Sequence, residues 1–332
     1  MRLKKRIWSI LPIALCLGLF AGCRQNDAPS SGTPKTQPAN TPVCHTDSLF
    51  AFVKAQTDFG PRIPNSAAQK ACADWLRTRL EGFGAQVEVQ EFESLRWDKT
   101  RLKGYNITAS FFPQKTNRIL LCAHWDSRPY ADHDPDPNMA LKPIDGANDG
   151  ASGTAVLLEI ARLLQTDTPQ MGVDIVLFDL EDSGRPSHVP HVSGDEYTWC
   201  LGAQYWSENF SGVNRPLFGI LLDMVGTQEP CFTMEATSMY YAPDIMRKVW
   251  EKAALMGYGN IFLNRSTGAL IDDHLFVNNI ANIPTIDIVH HDNGTSSGFF
   301  PQWHTLQDNL EHISPATLKM VGDVLLAVIF GK

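Results

Sequence analysis

Four short apolar runs, at residues 118–122, 173–178, 217–222 and 283–289, recur along the chain and alternate with stretches of helical period. Each is bounded by turn residues and too short for a core helix, so each reads as a buried strand. Helical periodicity falls near residues 153–164, 199–208, 242–255 and 316–330. Upstream, residues 67–80 repeat as a helix and 86–92 alternate as a strand. Strands alternating with helices predict an α/β fold, a three-layer sandwich with a central, largely parallel twisted sheet flanked by helices. In such a sheet ligands bind where the carboxyl ends of the strands meet the loops, so the residues just after each strand are where chemistry is expected.

Those positions hold His124 and Asp126, Asp149, Glu181 and Asp182, Asp223, Asp272 and Asp273, and Trp303 with His304. An Asp after a strand is, taken alone, a helix cap or a turn residue. As a series these residues mean more. So many carboxylates converging on one sheet edge repel each other unless a cation or shared protons compensate them.

The order HxD, ND, two adjacent acids after a strand, D and a late His resembles that of the zinc-dependent aminopeptidase superfamily. Within it, the chain is more similar to the glutaminyl cyclases, from about residue 56 to the C-terminus. The motifs are FGPR (59–62), AHWDS (123–127), GAND (146–149), FDLED (178–182), LLDM (221–224), DDH (272–274) and WHT (303–305). The resemblance implies that Asp149, Asp182 and His304 hold one zinc ion per chain. Three protein ligands leave a tetrahedral position open, as a catalytic zinc requires. It also implies Glu181 as general acid/base, and Asp223 with Asp272 as a proton-sharing carboxylate pair. His124 is expected to face the same cleft with Asp126 as its orienting partner. Trp303 and Phe300 are expected to line a slot for the glutamine side chain, and Trp199 reads as core. The chain departs from the animal cyclases at Asp182, where they carry Glu, and at Asp287, where they carry His. The segment 183–197, with His188 and His191, has no counterpart in that pattern, and His290 and His291 read as solvated loop residues.

The activity implied is conversion of the N-terminal glutamine of peptides or proteins to pyroglutamate, with loss of ammonia. A two-zinc aminopeptidase is the alternative, since His124 and Asp223 could hold a second metal bridged by Asp149. A binding module that kept the fold and lost the chemistry is disfavoured, because the candidate ligands and base are all in place.

The first residues carry a different message. Arg2, Lys4, Lys5 and Arg6 precede the apolar run 7–20, and LFAGC (19–23) resembles a bacterial lipobox whose cysteine is acylated after cleavage. Residues 1–22 are thus expected to be a lipoprotein signal peptide. Residues 23–43 follow as an acylated Cys23 with a Pro-, Ser- and Thr-rich tether, and 44–332 as a single α/β catalytic domain. With Arg24 rather than Asp after the cysteine, the expected location is the bacterial cell envelope. The chain would be lipid-anchored at the outer membrane and face the periplasm. Cleavage removes four positive charges from a chain of net charge −8, which argues against nucleic acid as a partner. Beyond Cys16 and Cys23, the cysteines at 44, 72, 122, 200 and 231 form no C-x-x-C pair and give no cysteine zinc cluster.

Overall fold

The computed structural model describes residues 41–331. The signal segment, Cys23 and the tether up to residue 40 lie outside the described residues. In chain order, helices α1 (Thr46–Thr57) and α2 (Ala67–Gly82) lead into the antiparallel pair β1 (Gln86–Leu95) and β2 (Arg101–Phe111). Then come β3 (Arg118–His124), α3 (Ala151–Leu163), β4 (Gly172–Phe178), α4 (Leu201–Glu208) and β5 (Phe218–Asp223). A small parallel pair follows, β6 (Phe232–Met234) and β7 (Phe262–Ser266), enclosing α5 (Ala236–Tyr241) and α6 (Pro243–Leu255). The chain ends with α7 (Asp273–Phe276), which runs into a π-helical turn at Val277–Ala281, then β8 (Thr285–Val289) and α8 (Pro315–Ile329).

The main sheet has the order β1-β2-β4-β3-β5-β8. Its four strands β4, β3, β5 and β8 are parallel, and β2 joins β4 antiparallel. The expected α/β sandwich is therefore present, with an antiparallel edge. The two faces follow the two-residue period of a strand. Ile119, Leu121, Val173, Ile175, Ile220 and Ile286 belong to one core cluster, with side chains of α1, α3 and α8. Their neighbours Leu120, Cys122, Val176 and Leu221 belong to another, with Cys200, Ala203, Phe276 and Val277. Both faces are buried, which is why these strands read as unbroken apolar runs. Strand β2 was not among the expected strands, because Lys103, Gly104 and Asn106 interrupt its apolar pattern; Asn106 instead donates to the Gly202 carbonyl (2.9 Å).

Candidate active site

The three parallel strands β3, β4 and β5 deliver their chemistry at their carboxyl ends. His124 is the last residue of β3, Asp223 the last of β5, and Glu181 and Asp182 follow β4. Asp149 precedes α3, Asp272 is the N-cap of α7, and His304 lies in the loop between β8 and α8. The backbone at these ends is bent out of the regular run. Leu180, Met224 and His304 all have left-handed φ, 60°, 49° and 54°. Such conformations cost about 1–3 kcal/mol each and persist where the surrounding structure holds them, typically at functional sites. Gly146 answers the same demand at φ 59°; a Cβ there would meet the Asp149 carbonyl at 2.4 Å.

One donor cluster surrounds His304. Its Nε2 lies 3.5 Å from Asp149 Oδ2 and 3.4 Å from Asp182 Oδ1, and the three ligand atoms are all within 4.8 Å of one another. Asp182 Oδ2 is buried and has no hydrogen-bond partner among the described residues. Zinc binds N and O donors at about 2.0–2.2 Å, so neighbouring donors of a tetrahedral zinc sit about 3.3–3.6 Å apart. The His304 spacings match that edge, so the residues fit the metal. Burial pushes the Asp182 carboxyl up and Asp149 adds to it, against the pull of His304 and Arg128. Burial works against charge on His304, but Asp182 overrides it and pushes the imidazole up to about 10, which shows how strongly the buried carboxylates here call for a cation.

A second cluster joins His124 Nε2 to Asp149 Oδ1 at 3.1 Å and to Asp223 Oδ1 at 3.0 Å. These are hydrogen-bond distances, shorter than a zinc edge. Burial opposes charge on His124, yet Asp126, Asp149 and Asp223 hold it well above its ordinary value. Burial also raises the Asp223 carboxyl to about 7, with His124 pulling it down and Asp272 pushing it further up. Glu181 sits beside the same cluster. Burial drives its carboxyl well above the usual range, and its Oε1 accepts from the Cys200 thiol at 3.2 Å.

Between these groups lies a cavity of about 180 Å3. Asp149, Glu181, Asp182, Asp223, Asp272 and His304 form its polar floor, and Trp199, Leu270, Phe299 and Trp303 are among its apolar walls. Trp303 stacks on His304 at 3.7 Å between ring centroids. Phe300 does not take the expected place. It is 1% exposed and packs with Met224 and Val289, so the aromatic wall is supplied by its neighbour Phe299. Trp199, expected in the core, is a wall residue instead, and its ring faces His304 nearly in parallel, 10° between planes. Asp126 lies 3.4 Å from His124 Nδ1, while its two oxygens accept the backbone N–H groups of Glu181 (3.1 Å) and Asp182 (3.2 Å). Its main structural task is to shape the turn that presents those two acids. His290 and His291 are buried rather than solvated: His290 Nδ1 accepts from the Cys231 amide, and His291 Nδ1 meets the Thr267 hydroxyl at 3.0 Å.

Several supporting residues were not singled out by the sequence. Arg128, 1% exposed, forks onto both oxygens of Asp132 (3.1 and 2.9 Å) and reaches the Asp182 carbonyl (3.0 Å). Asp132 in turn faces His304 Nδ1 at 3.4 Å. Asp308 accepts the backbone N–H groups of Asn148 and Asp149, fixing the GAND turn from the far end of the chain. Beyond Asp272 lies a buried trio. His274 Nε2 is 3.2 Å from Glu235 Oε1 and its Nδ1 is 3.9 Å from Asp287 Oδ2. Arg128, Asp132, Glu235 and Asp308 have no place in the quoted motifs. His274 ends DDH and Asp287 stands out as a departure, but nothing in the sequence signalled that these two form a trio with Glu235.

The sheet edge and its donor set define a class, an α/β enzyme with a catalytic metal at the carboxyl ends of its strands. The pattern of peptidase family M28 matches residues 106–329, and the chain belongs to that family. The structure is similar to that of Bacteroides thetaiotaomicron glutaminyl cyclase bound to N-acetylhistamine. The two share 47% identity with a TM-score of 0.85, over 88% of this chain and 100% of that one. It is similar also to a Zn-dependent exopeptidase from Parabacteroides distasonis, 46% identical with a TM-score of 0.86, over 88% of this chain and 100% of that one. Among characterised sequences, aminopeptidase YwaD of Bacillus subtilis is 26% identical over 81% of this chain. The match covers 54% of that protein, so the chain spans about half that relative's length.

Proposed function

We propose that the protein converts the N-terminal glutamine of peptides and proteins to pyroglutamate, releasing ammonia, with one zinc per chain. The observation that carries this reading is the contrast between the two clusters. The His304 donors stand at zinc-edge separation, whereas His124 Nε2 lies closer to its neighbours, hydrogen-bonded to Asp223 at 3.0 Å and 3.1 Å from Asp149. A cyclase takes its nucleophile from the substrate amine and has no need of a second metal to make hydroxide. The similarity to the Bacteroides cyclase over that chain's whole length supports the same activity.

Asp149, Asp182 and His304 would hold the zinc, which supplies Lewis-acid polarisation of the γ-carboxamide oxygen. The remaining chemistry belongs to the protein. Trp199, Phe299 and Trp303 surround a space the size of one amino-acid residue and keep water from the reacting centre. Holding the glutamine folded back on itself makes the amine attack intramolecular. Glu181 takes the proton from the α-nitrogen as the N–C bond forms and returns it to the carboxamide nitrogen as the C–N bond to ammonia breaks. Its raised carboxyl is suited to holding that proton between the two steps. Asp223 and Asp272, both on the cavity floor, would share a proton and fix the amine's direction.

The chain would be acylated at Cys23 and tethered to the bacterial outer membrane, facing the periplasm, as the LFAGC sequence and the polar stretch behind it support. Among the described residues no helix is long and apolar enough to cross a membrane. The deciding experiment incubates the purified protein with a glutamine-starting peptide and measures zinc per chain. Ammonia without shortening, with one zinc, is expected. Release of free glutamine, with two zincs of which one is lost in His124→Ala, would move the function to aminopeptidase.

A further inference from the structure

The segment 183–198, which the sequence left without a role, has no regular structure beyond the short turn Asp195–Thr198, yet it is firmly held. Arg128 donates to the carbonyls of Gly184 (3.2 Å) and Arg185 (3.4 Å). The Ser187 amide and hydroxyl donate to the Asp132 carboxylate (2.7 Å) and carbonyl (2.8 Å). Within the segment, the Asp195 carboxylate accepts from Arg185 Nε (2.7 Å) and from the Val192 amide (2.8 Å). The loop is thus pinned to the same Arg128–Asp132 pair that backs His304. Long loops of this kind in compact domains are commonly functional.

Against it lies a second concavity of about 600 Å3, separate from the catalytic cavity but sharing two wall residues with it, Trp199 and Ile271. Ile271 is 50% exposed, which leaves its side chain free to be covered by a ligand. Arg185 and His191 both pair with Asp195, and Pro186 is buried, so the apolar surface left for contact is that of Val189, Pro190, Trp199 and Ile271, with Ser187 and Glu196 also on the lining. Val192 and Tyr197 on the same loop are likewise exposed, 50% and 63%. A residue seated in the 180 Å3 cavity fills it, and the peptide attached to it has to leave past a wall.

We propose that this concavity is a subsite for the second and third residues of the substrate peptide and that it selects apolar side chains there. This rests on the reading that the catalytic cavity takes the N-terminal glutamine. Continuity through Trp199 and Ile271 identifies the occupant as the same peptide, and the apolar lining identifies its chemistry. Binding gained in this way reaches the enzyme through KM, because the contacts are remote from the reacting atoms and equal in ground and transition states.

The test compares Gln-Leu-Leu-amide with Gln-Gly-Gly-amide on the zinc-loaded full chain. Partial burial of a leucine predicts a kcat/KM ratio of about tenfold in favour of the leucine peptide, carried by KM. Val189→Asp should bring that ratio close to one, through a raised KM for the leucine peptide; Val189→Ser should lower it less. A ratio near one in the unaltered protein, or one that survives Val189→Asp, overturns the proposal. Calorimetric binding of both peptides to Glu181→Gln separates this from the parent reading. A preserved affinity ratio with no ammonia from either peptide in the unaltered enzyme would sink the cyclase assignment and leave the subsite standing.

Discussion

Replacing Arg128 by Met tests how the metal cradle is supported. The guanidinium is buried, bridges Asp132, the Asp182 carbonyl and two carbonyls of the 183–198 loop, and lies 4.5 Å over the Trp199 ring. Methionine keeps most of the stem and removes the charge. The Asp132 side chain, 2% exposed, then loses the cation that makes its ionised form tolerable. Breaking a buried pair from one side costs about 3–5 kcal/mol. Against a typical total of roughly 5–15 kcal/mol that is a large share. Zinc affinity should fall about 10- to 100-fold, the scale for loss of a group that orients a metal ligand, because Asp132 aims the His304 ring. Urea unfolding and chelator competition measure the two effects. The double variant Arg128→Met/Asp132→Leu removes both charges and should recover most of the stability while zinc stays weakly held. A single variant within about 0.5 kcal/mol of the unaltered protein would refute the reasoning, since that is the range of an ordinary surface change. So would a double variant that binds zinc normally.

Glu181→Gln should keep its zinc and lose about 10²-fold or more in kcat, the scale for a missing general acid/base; near-normal turnover would reassign the base. Glu235→Gln tests the buried trio. Burial raises the Glu235 carboxyl, but His274 overrides it and holds it down at about 2, below the ordinary 4.5 of a glutamate. A depressed carboxyl stabilises the fold above pH 4.5, by about 3 kcal/mol for a shift of this size, and the contribution is lost as pH falls towards 2. The variant should therefore be less stable than the unaltered protein at neutral pH and approach it in acid; a gap that does not narrow on acidification would contradict this. Cys23→Ser should release the protein from membranes into the soluble fraction, and unchanged partitioning would rule out acylation at that residue.

How much of this was legible in the sequence depended on range. The parallel strands announced themselves because burial on both faces forces β3 between Arg118 and His124, and β5 before Asp223, to carry no polar side chain. The acids and histidines after them stood out because strand ends converge in space whatever their separation in the chain. From the same local signals Asp149, Glu181, Asp182, Asp223, Asp272 and His304 were all picked out, and the structure brings them to one cavity. What the sequence could not supply was which of two adjacent aromatics faces inward. Phe299 and Phe300 are chemically identical, and only the direction of the loop after β8 puts Phe299 on the wall and Phe300 behind it. Nor could it reveal Arg128, Asp132 and Asp308 as supports, since an ion pair or an accepted amide depends on a meeting of distant segments and leaves no periodic trace. Asp308 reaches the Asn148 amide across 160 residues of chain. The choice between one metal and two was likewise absent from residue identities, because both donor sets were present there. The spacings of the two sets, 3.4 and 3.5 Å about His304 and 3.0 and 3.1 Å about His124, exist only once the sheet, its bent strand ends and the late loop have come together.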